Sequence, residues 1–153
     1  MNFSSLPKNW KIKHTQLLCD SYFHFFKTPL LPILTPRFED LFEAPFILLS
    51  HGTEPDPILN FGNQMALKLW EFSWDELTKM PSRLTAEPLQ QSARTQFMQQ
   101  VKANGFVDDY SGIRINQSGR RFKIENAKVW NLIDDQQQLQ GQAACFSTWS
   151  YLL

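Results

Sequence analysis

This chain is short of excess charge, of sulfur and of long apolar runs, and each shortage closes off a class of function. Lys and Arg number 15 and Asp and Glu number 15, so the formal net charge over 153 residues is zero. A protein held to nucleic acid through its phosphates carries a surplus of Lys and Arg. The balance therefore argues against a nucleic-acid partner. Only Cys19 and Cys145 are present. Two cysteines so far apart do not make a disulfide framework, and the expected location is reducing and cytoplasmic. The N-terminal MNFSSLPKNWKIKH is polar and mildly basic, without an apolar core, so no signal peptide is read there. The longest apolar stretches, residues 30–34 and 45–49, are far too short to span a bilayer. What the chain does have is aromatic mass: 14% of residues, including 13 Phe and five Trp, against 20% charged. Disordered chains show the opposite bias. The length suits one domain with one core, and a neutral surface favours association with itself or with another protein.

Residues 1–15 read as an extended lead-in and 16–153 as a single domain. Within 16–27, Leu18, Tyr22, Phe25 and Phe26 recur at helical spacing. Pro29, Pro32 and Pro36 follow as a stiff connector. A short helix is expected through Phe42, with Thr35 as N-cap and Pro36 at its first position. Residues 46–50 and 58–62 read as short strands separated by a turn-rich HGTEPDP segment. Asn63 can cap a helix that carries Ala66, Leu69 and Trp70 on one face. Ser73 and Glu76 have capping-box spacing, with Phe72 and Leu77 as the flanking staple. MPSRLTAEP reads as a loop with one helical turn. A longer helix over 89–104 carries Leu89, Ala93, Phe97 and Val101 every fourth residue and is closed by Gly105. Beyond it, 106–116 and 121–133 flank a Ser118-Gly119 hairpin turn, and 142–152 returns as a third strand. Helices bunched between strands, not alternating with them, indicate α+β with an antiparallel sheet.

That order resembles the PAS fold. ILNFGNQMALKLWEFSWDEL resembles the PAS passage from strand through Asn to the next helix, and INQSGRRFKIE resembles the hairpin between the third and fourth PAS strands. FEAPFILLSHGTEPDPILNFGN, LWEFSWDELTKMPSRLTAEP, GFVDDYSGIRINQSGRRFKIENAKVWNLID and GQAACF are similar to the MEKHLA domain. That PAS-like family includes small stand-alone bacterial proteins, the type resembled here, and the C-terminal region of plant homeodomain–leucine zipper transcription factors. The resemblance covers roughly 16–152 and implies a five-stranded antiparallel sheet, helices packed on one face and an added N-terminal helix. It implies a fold and not an activity. No effector element is read beside the domain, so a signal would have to leave through an intermolecular contact.

The resemblance places a pocket between sheet and helices and allows some cofactors to be tested by absence. Photoactive flavin-binding members carry Cys in an Asn-Cys-Arg-Phe-like motif; PSRLTAEP has no Cys, which argues against cysteine-adduct flavin chemistry. Haem-binding members supply an axial His from the long helix; 89–104 has none, and Met98 is better read as core filler than as an iron ligand. The cofactor is otherwise unknown. His14 and His24 are ten apart, which is not a metal-ligand spacing, and His51 near Glu54 and Asp56 reads as a solvated turn. Asp108 and Asp109 are neighbours on a strand and point to opposite faces unless a bulge intervenes.

Ligand-binding candidates are Trp70, Arg83, Phe97, Tyr110, Phe122, Trp130 and Phe146, with Trp74 as a further pocket or core aromatic. These aromatics either line a cavity for a small apolar or planar ligand or fill it themselves. Arg83 either recognises an anion bidentately or pairs with Glu87 or Asp108 to lock its loop. Leu18, Tyr22, Phe25 and Phe26 are candidate interface residues, should they exceed what their own sheet can cover. Two functions stay open: a small-molecule sensor signalling through protein contact, and a ligand-free homodimerisation or adaptor module. A third, an enzyme acting on a small anionic substrate, would rest on Arg83, Glu87 and Asp108. The chain is read as non-enzymatic, with no catalytic residue and no metal site.

Overall fold

A computed structural model describes residues 5–86 and 88–153, with only the backbone described for 88–94 and 98. The first helix, α1 (Lys8–Phe26), begins well before the apolar stripe. Residues 8–15 are thus helical, not an extended lead-in. The signal was hidden because the buried positions there are polar. His14 and Thr15 are both buried, and the His14 ring stacks on Trp10 at 4.9 Å and 8°. α1 stops where Lys27 turns left-handed at φ 60° and returns its N–H to Phe23 O. The next helix, α2 (Phe38–Phe42), starts at Arg37 and not at Thr35. The Asp40 carboxylate accepts the Arg37 backbone N–H at 2.8 Å, which fixes the first turn without help from Thr35.

Six strands follow: β1 (Ile47–His51), β2 (Leu59–Gly62), β3 (Phe106–Ile115), β4 (Arg121–Ile133), β5 (Leu139–Phe146) and β6 (Thr148–Tyr151). The order is β2-β1-β5-β4-β3, with β6 also paired to β4, all antiparallel. The expected strand over 142–152 is therefore two strands broken at Ser147. β5 pairs with Lys128–Ile133 of β4, and β6 pairs with Phe122–Glu125. Gly141 lets β5 come close to β1: it sits at φ +151°, and a Cβ there would collide with His51 O.

Between β2 and β3 lie α3 (Gln64–Trp70), α4 (Trp74–Leu77), a 3₁₀ turn (Ser82–Thr85) and α5 (Pro88–Asn104). Asn63 caps α3 and Ser73 caps α4 with the reciprocal Glu76 bond, as the spacings predict. α5 closes at Gly105, φ +102°, whose N–H reaches Val101 O at 2.7 Å. Val101 is buried and Phe97 half-buried, while the side chains of Leu89, Ala93 and Met98 lie outside the described residues.

Both faces of the sheet are covered. On one side, Ile47, Leu49, Phe122, Ile124 and Phe146 pack against Leu69 and Trp70 of α3 and Leu77 of α4. On the other, Leu48, Trp130, Leu132 and Cys145 pack against Leu18 and Tyr22 of α1. A bulge in β4 sets which of its residues face which layer. Tyr110 pairs with Ala127 while Gly112 pairs with Ile124, so two steps on β3 oppose three on β4. Asn126 takes up the extra residue at φ 55°.

Candidate functional site

A cavity of about 50 Å³ lies between β1, β3, β4 and β5 on one side and α3 with the 3₁₀ turn on the other. Its apolar lining is Leu49, Leu59, Trp70, Ile124, Ala127, Val129, Ala143, Ala144 and Phe146. Its polar lining is Ser50, His51, Ser82, Thr85, Tyr110, Arg114 and Gln142. Three packed aromatics explain the small volume. Trp70 meets Phe122 edge-on at 5.1 Å and Phe146 at 6.2 Å. Trp70 is held in place because its Nε1 donates to Thr85 O at 3.4 Å. The hairpin between β3 and β4 locks the end of α3: Gln117 N–H donates to Trp70 O at 3.0 Å, and Ser118 N–H to the Glu71 carboxylate at 2.9 Å. The Ser118 hydrogen bonds hold the Glu71 carboxyl below its ordinary value.

The predicted site residues divide between several places. Trp70, Tyr110 and Phe146 line the cavity. Phe122 stands behind it, packed into the same core. Phe97 lies against Tyr110 at 4.1 Å but does not line the cavity. Trp130 belongs to the opposite face, edge-on to Tyr22 at 5.0 Å and to Phe26 at 6.0 Å, so it is not a pocket residue. Trp74 joins that same outer core with Phe61, at 5.8 Å.

Arg83 is neither at the cavity nor paired with Asp108. It is half-exposed and its Nε reaches the Asp56 carboxylate at 3.2 Å. Glu87 lies outside the described residues. Asp108 and Asp109 fall where the β3–β4 register shifts, and both are exposed.

The interface candidates are corrected in part. Leu18 is 0% exposed and Tyr22 6%, both within their own chain. Leu18 and Tyr22 are covered by their own sheet. Phe25 and Phe26 are half-buried against Phe106, at 5.6 and 5.2 Å.

Neither cysteine is poised for chemistry. Burial pushes the Cys19 thiol up to about 11, with the neighbouring Asp20 charge adding to it, and pushes Cys145 up to about 12. Asp56 is paired with Arg83 and Glu54 accepts the Ile58 N–H at 3.1 Å. Among the described residues no group of three His, Cys, Asp or Glu is arranged to hold a metal. No helix among them is long and apolar enough to cross a membrane.

Sequence reasoning missed Arg114. It is 5% exposed and lines the cavity. Its Nη1 donates to Ile113 O at 2.9 Å, its Nη2 donates to the Tyr110 hydroxyl, and its guanidinium lies 5.3 Å from the Tyr110 ring centre. The available signal was a period of two: Tyr110, Gly112 and Arg114 share one strand face. Gly112 makes that contact possible, since a Cβ there would sit on the Tyr110 hydroxyl and 3.2 Å from Arg114 Nη1.

This architecture is similar to solved PAS structures. A PAS domain of a Colwellia psychrerythraea protein superposes with a TM-score of 0.62 at 12% identity, over 74% of this chain and 92% of that one. A light-oxygen-voltage domain studied with a flavin analogue gives 0.58 at 13% identity, over 76% and 84%. An RNA-binding light-oxygen-voltage receptor gives 0.60 at 18% identity, over 77% of this chain and 35% of that receptor. At such identities the likeness is one of fold. No curated protein sequence matches the chain. The sequence pattern of the MEKHLA domain, in contrast, fits residues 12–151. From the second turn of α1 to the end of β6, this chain belongs to the MEKHLA domain family.

Proposed function

We propose that this chain is a PAS-like sensory domain of the cytoplasm that holds a small molecule between its sheet and α3, and that passes the signal on by protein contact. The observation that carries this reading is the cavity itself. It is mostly apolar and supplied with a few convergent polar groups, as ligand sites are, and its volume of about 50 Å³ restricts it to a very small molecule. The elements around it connect it to the surface: Trp70 ends α3, and α3 is tied to the β3–β4 hairpin. A ligand acts here only through different affinities for two states of that assembly. No catalytic residue is assigned, because the cavity offers neither an activated nucleophile nor a paired acid and base.

The test is a small-molecule screen followed by backbone amide NMR shifts. Ligands that move Tyr110, Ala127 and Ala144 together support the reading. A screen in which none of these responds sinks it. An absorption spectrum of the freshly purified protein tests flavin and haem directly, and neither band is expected.

One observation favours a second reading, a ligand-free homodimer or adaptor. Ile12, Phe23 and Leu34 are 49%, 54% and 101% exposed. Native mass spectrometry that finds only dimers, with no cavity ligand, would select this reading.

A further inference from the structure

Resting on the sensory reading above, we propose that the cavity ligand is a short aliphatic carboxylate and that Arg114 receives its carboxyl group. A buried guanidinium without an acidic partner is costly, and folded chains normally supply that partner. Arg114 has none. The described ion pairs are Arg37–Asp40, Arg83–Asp56 and Lys123–Glu125. A guanidinium has five N–H donors. Two are used, on Ile113 O and the Tyr110 hydroxyl, and three have no partner among the described residues.

The surroundings decide which anion fits. Gly112 gives Arg114 and Tyr110 room to meet, and the Tyr110 ring supports the guanidinium from one side. The planar fork of Arg matches a carboxylate edge-on with two parallel hydrogen bonds. Leu49, Ile124 and Val129 supply an apolar remainder to the lining. The volume, about 50 Å³, is room for a few waters at the roughly 10–15 Å³ that each needs on this measure. A bulky phosphorylated metabolite does not fit this space; a short fatty or keto acid does.

The experiment is an NMR titration of the full chain with acetate and propionate, each beside its uncharged amide, at fixed ionic strength. The expected result is millimolar carboxylate binding that shifts Tyr110, Ala127 and the Arg114 Nε–H together. The amides should bind about tenfold more weakly or worse, because they forfeit the charge-assisted pair. Arg114→Gln should remove that preference, and Arg114→Lys should restore only part of it. Amides binding as tightly as acids overturn the assignment of an anion, yet leave the sensory cavity standing. Carboxylate preference surviving in Arg114→Gln overturns the role of Arg114. No response to acid or amide overturns the inference; a neutral alcohol of the same size then shows whether the cavity itself accepts a ligand. Should Arg114→Gln fail to fold, the acid-to-amide contrast in the unaltered chain decides.

Discussion

His14 is a buried base that has been kept neutral. Its Nε2 lies 3.0 Å from Ser50 Oγ, and Ser50 in turn donates to Asn60 Oδ1 at 2.5 Å. Because the serine proton is committed to Asn60, the imidazole is the donor to Ser50. Burial lowers its pKa from 6.5 to about 4. The unfolded chain therefore binds this proton more readily than the folded one. The stability tied to neutral His14 is complete above pH 6.5 and drains away as pH falls toward 4. Urea unfolding should show the difference between the unaltered chain and His14→Gln shrinking by about 2 kcal/mol from pH 7 to pH 5. The comparison with a variant matters, since Asp40, Glu71, Glu76 and Asp134 are held below their ordinary values by hydrogen bonds and titrate in the same direction. Arg83→Ala is the contrasting case. Its partner Asp56 is half-exposed, and such pairs contribute little, so stability should change by less than about 1 kcal/mol. A larger loss, or any loss of carboxylate binding, would return Arg83 to the site. Arg83 was the more visible cation in the sequence because it sits among turn residues; Arg114 looked like an ordinary strand residue until the strand's facing was known.

At the scale of elements, the capping residues were legible except at α2, where Arg37 and not Thr35 is the cap, and the buried polar ones were not. Asn63, Ser73 with Glu76, and Gly105 all sit where local chemistry requires them. Asn63 does more than cap. It is fully buried; its Oδ1 accepts from Ala66 N and Leu48 N, each at 3.1 Å, and its Nδ2 donates to Phe46 O at 2.7 Å. One side chain thus joins α3 to β1. Asn63→Ala leaves several buried backbone groups unsatisfied and should cost about 3 kcal/mol in chemical unfolding. A cost below about 1 kcal/mol would mean that it is only a cap. The N-terminal half of α1 was illegible for the converse reason. Its contacts run through His14, whose ring stacks on Trp10 at 4.9 Å and whose Nε2 lies 3.0 Å from Ser50 Oγ. Polar side chains buried by hydrogen bonds leave no apolar stripe to read.

For the whole molecule, α1 is a structural layer and not an appendage. It covers Trp130 and Leu132, both 0% exposed, so a chain lacking residues 1–26 would present that apolar face to water. Such a chain should bind a hydrophobic dye and lose its cooperative thermal transition. Retained cooperativity would show that the sheet and the inner helices suffice. Within the intact chain, Leu18→Ala should cost about 3 kcal/mol, as truncation of a fully buried Leu does. Local patterns carried the element order and the resemblance to PAS domains the position of the cavity, but neither told which aromatics faced it. Strict alternation along β4 would put Trp130 on the face of Phe122, but the bulge at Asn126 turns it to the other. That bulge has a further meaning for how the gene can change. Substitutions in β4 exchange one side chain at a time, whereas deletion of the single codon for Asn126 would reverse the parity of everything after it. Ala127 and Val129 would turn toward α1, and Trp130 would swing into the cavity. In this strand the reading frame of the fold is kept by one asparagine, and the family should tolerate many substitutions in β4 but no change in its length.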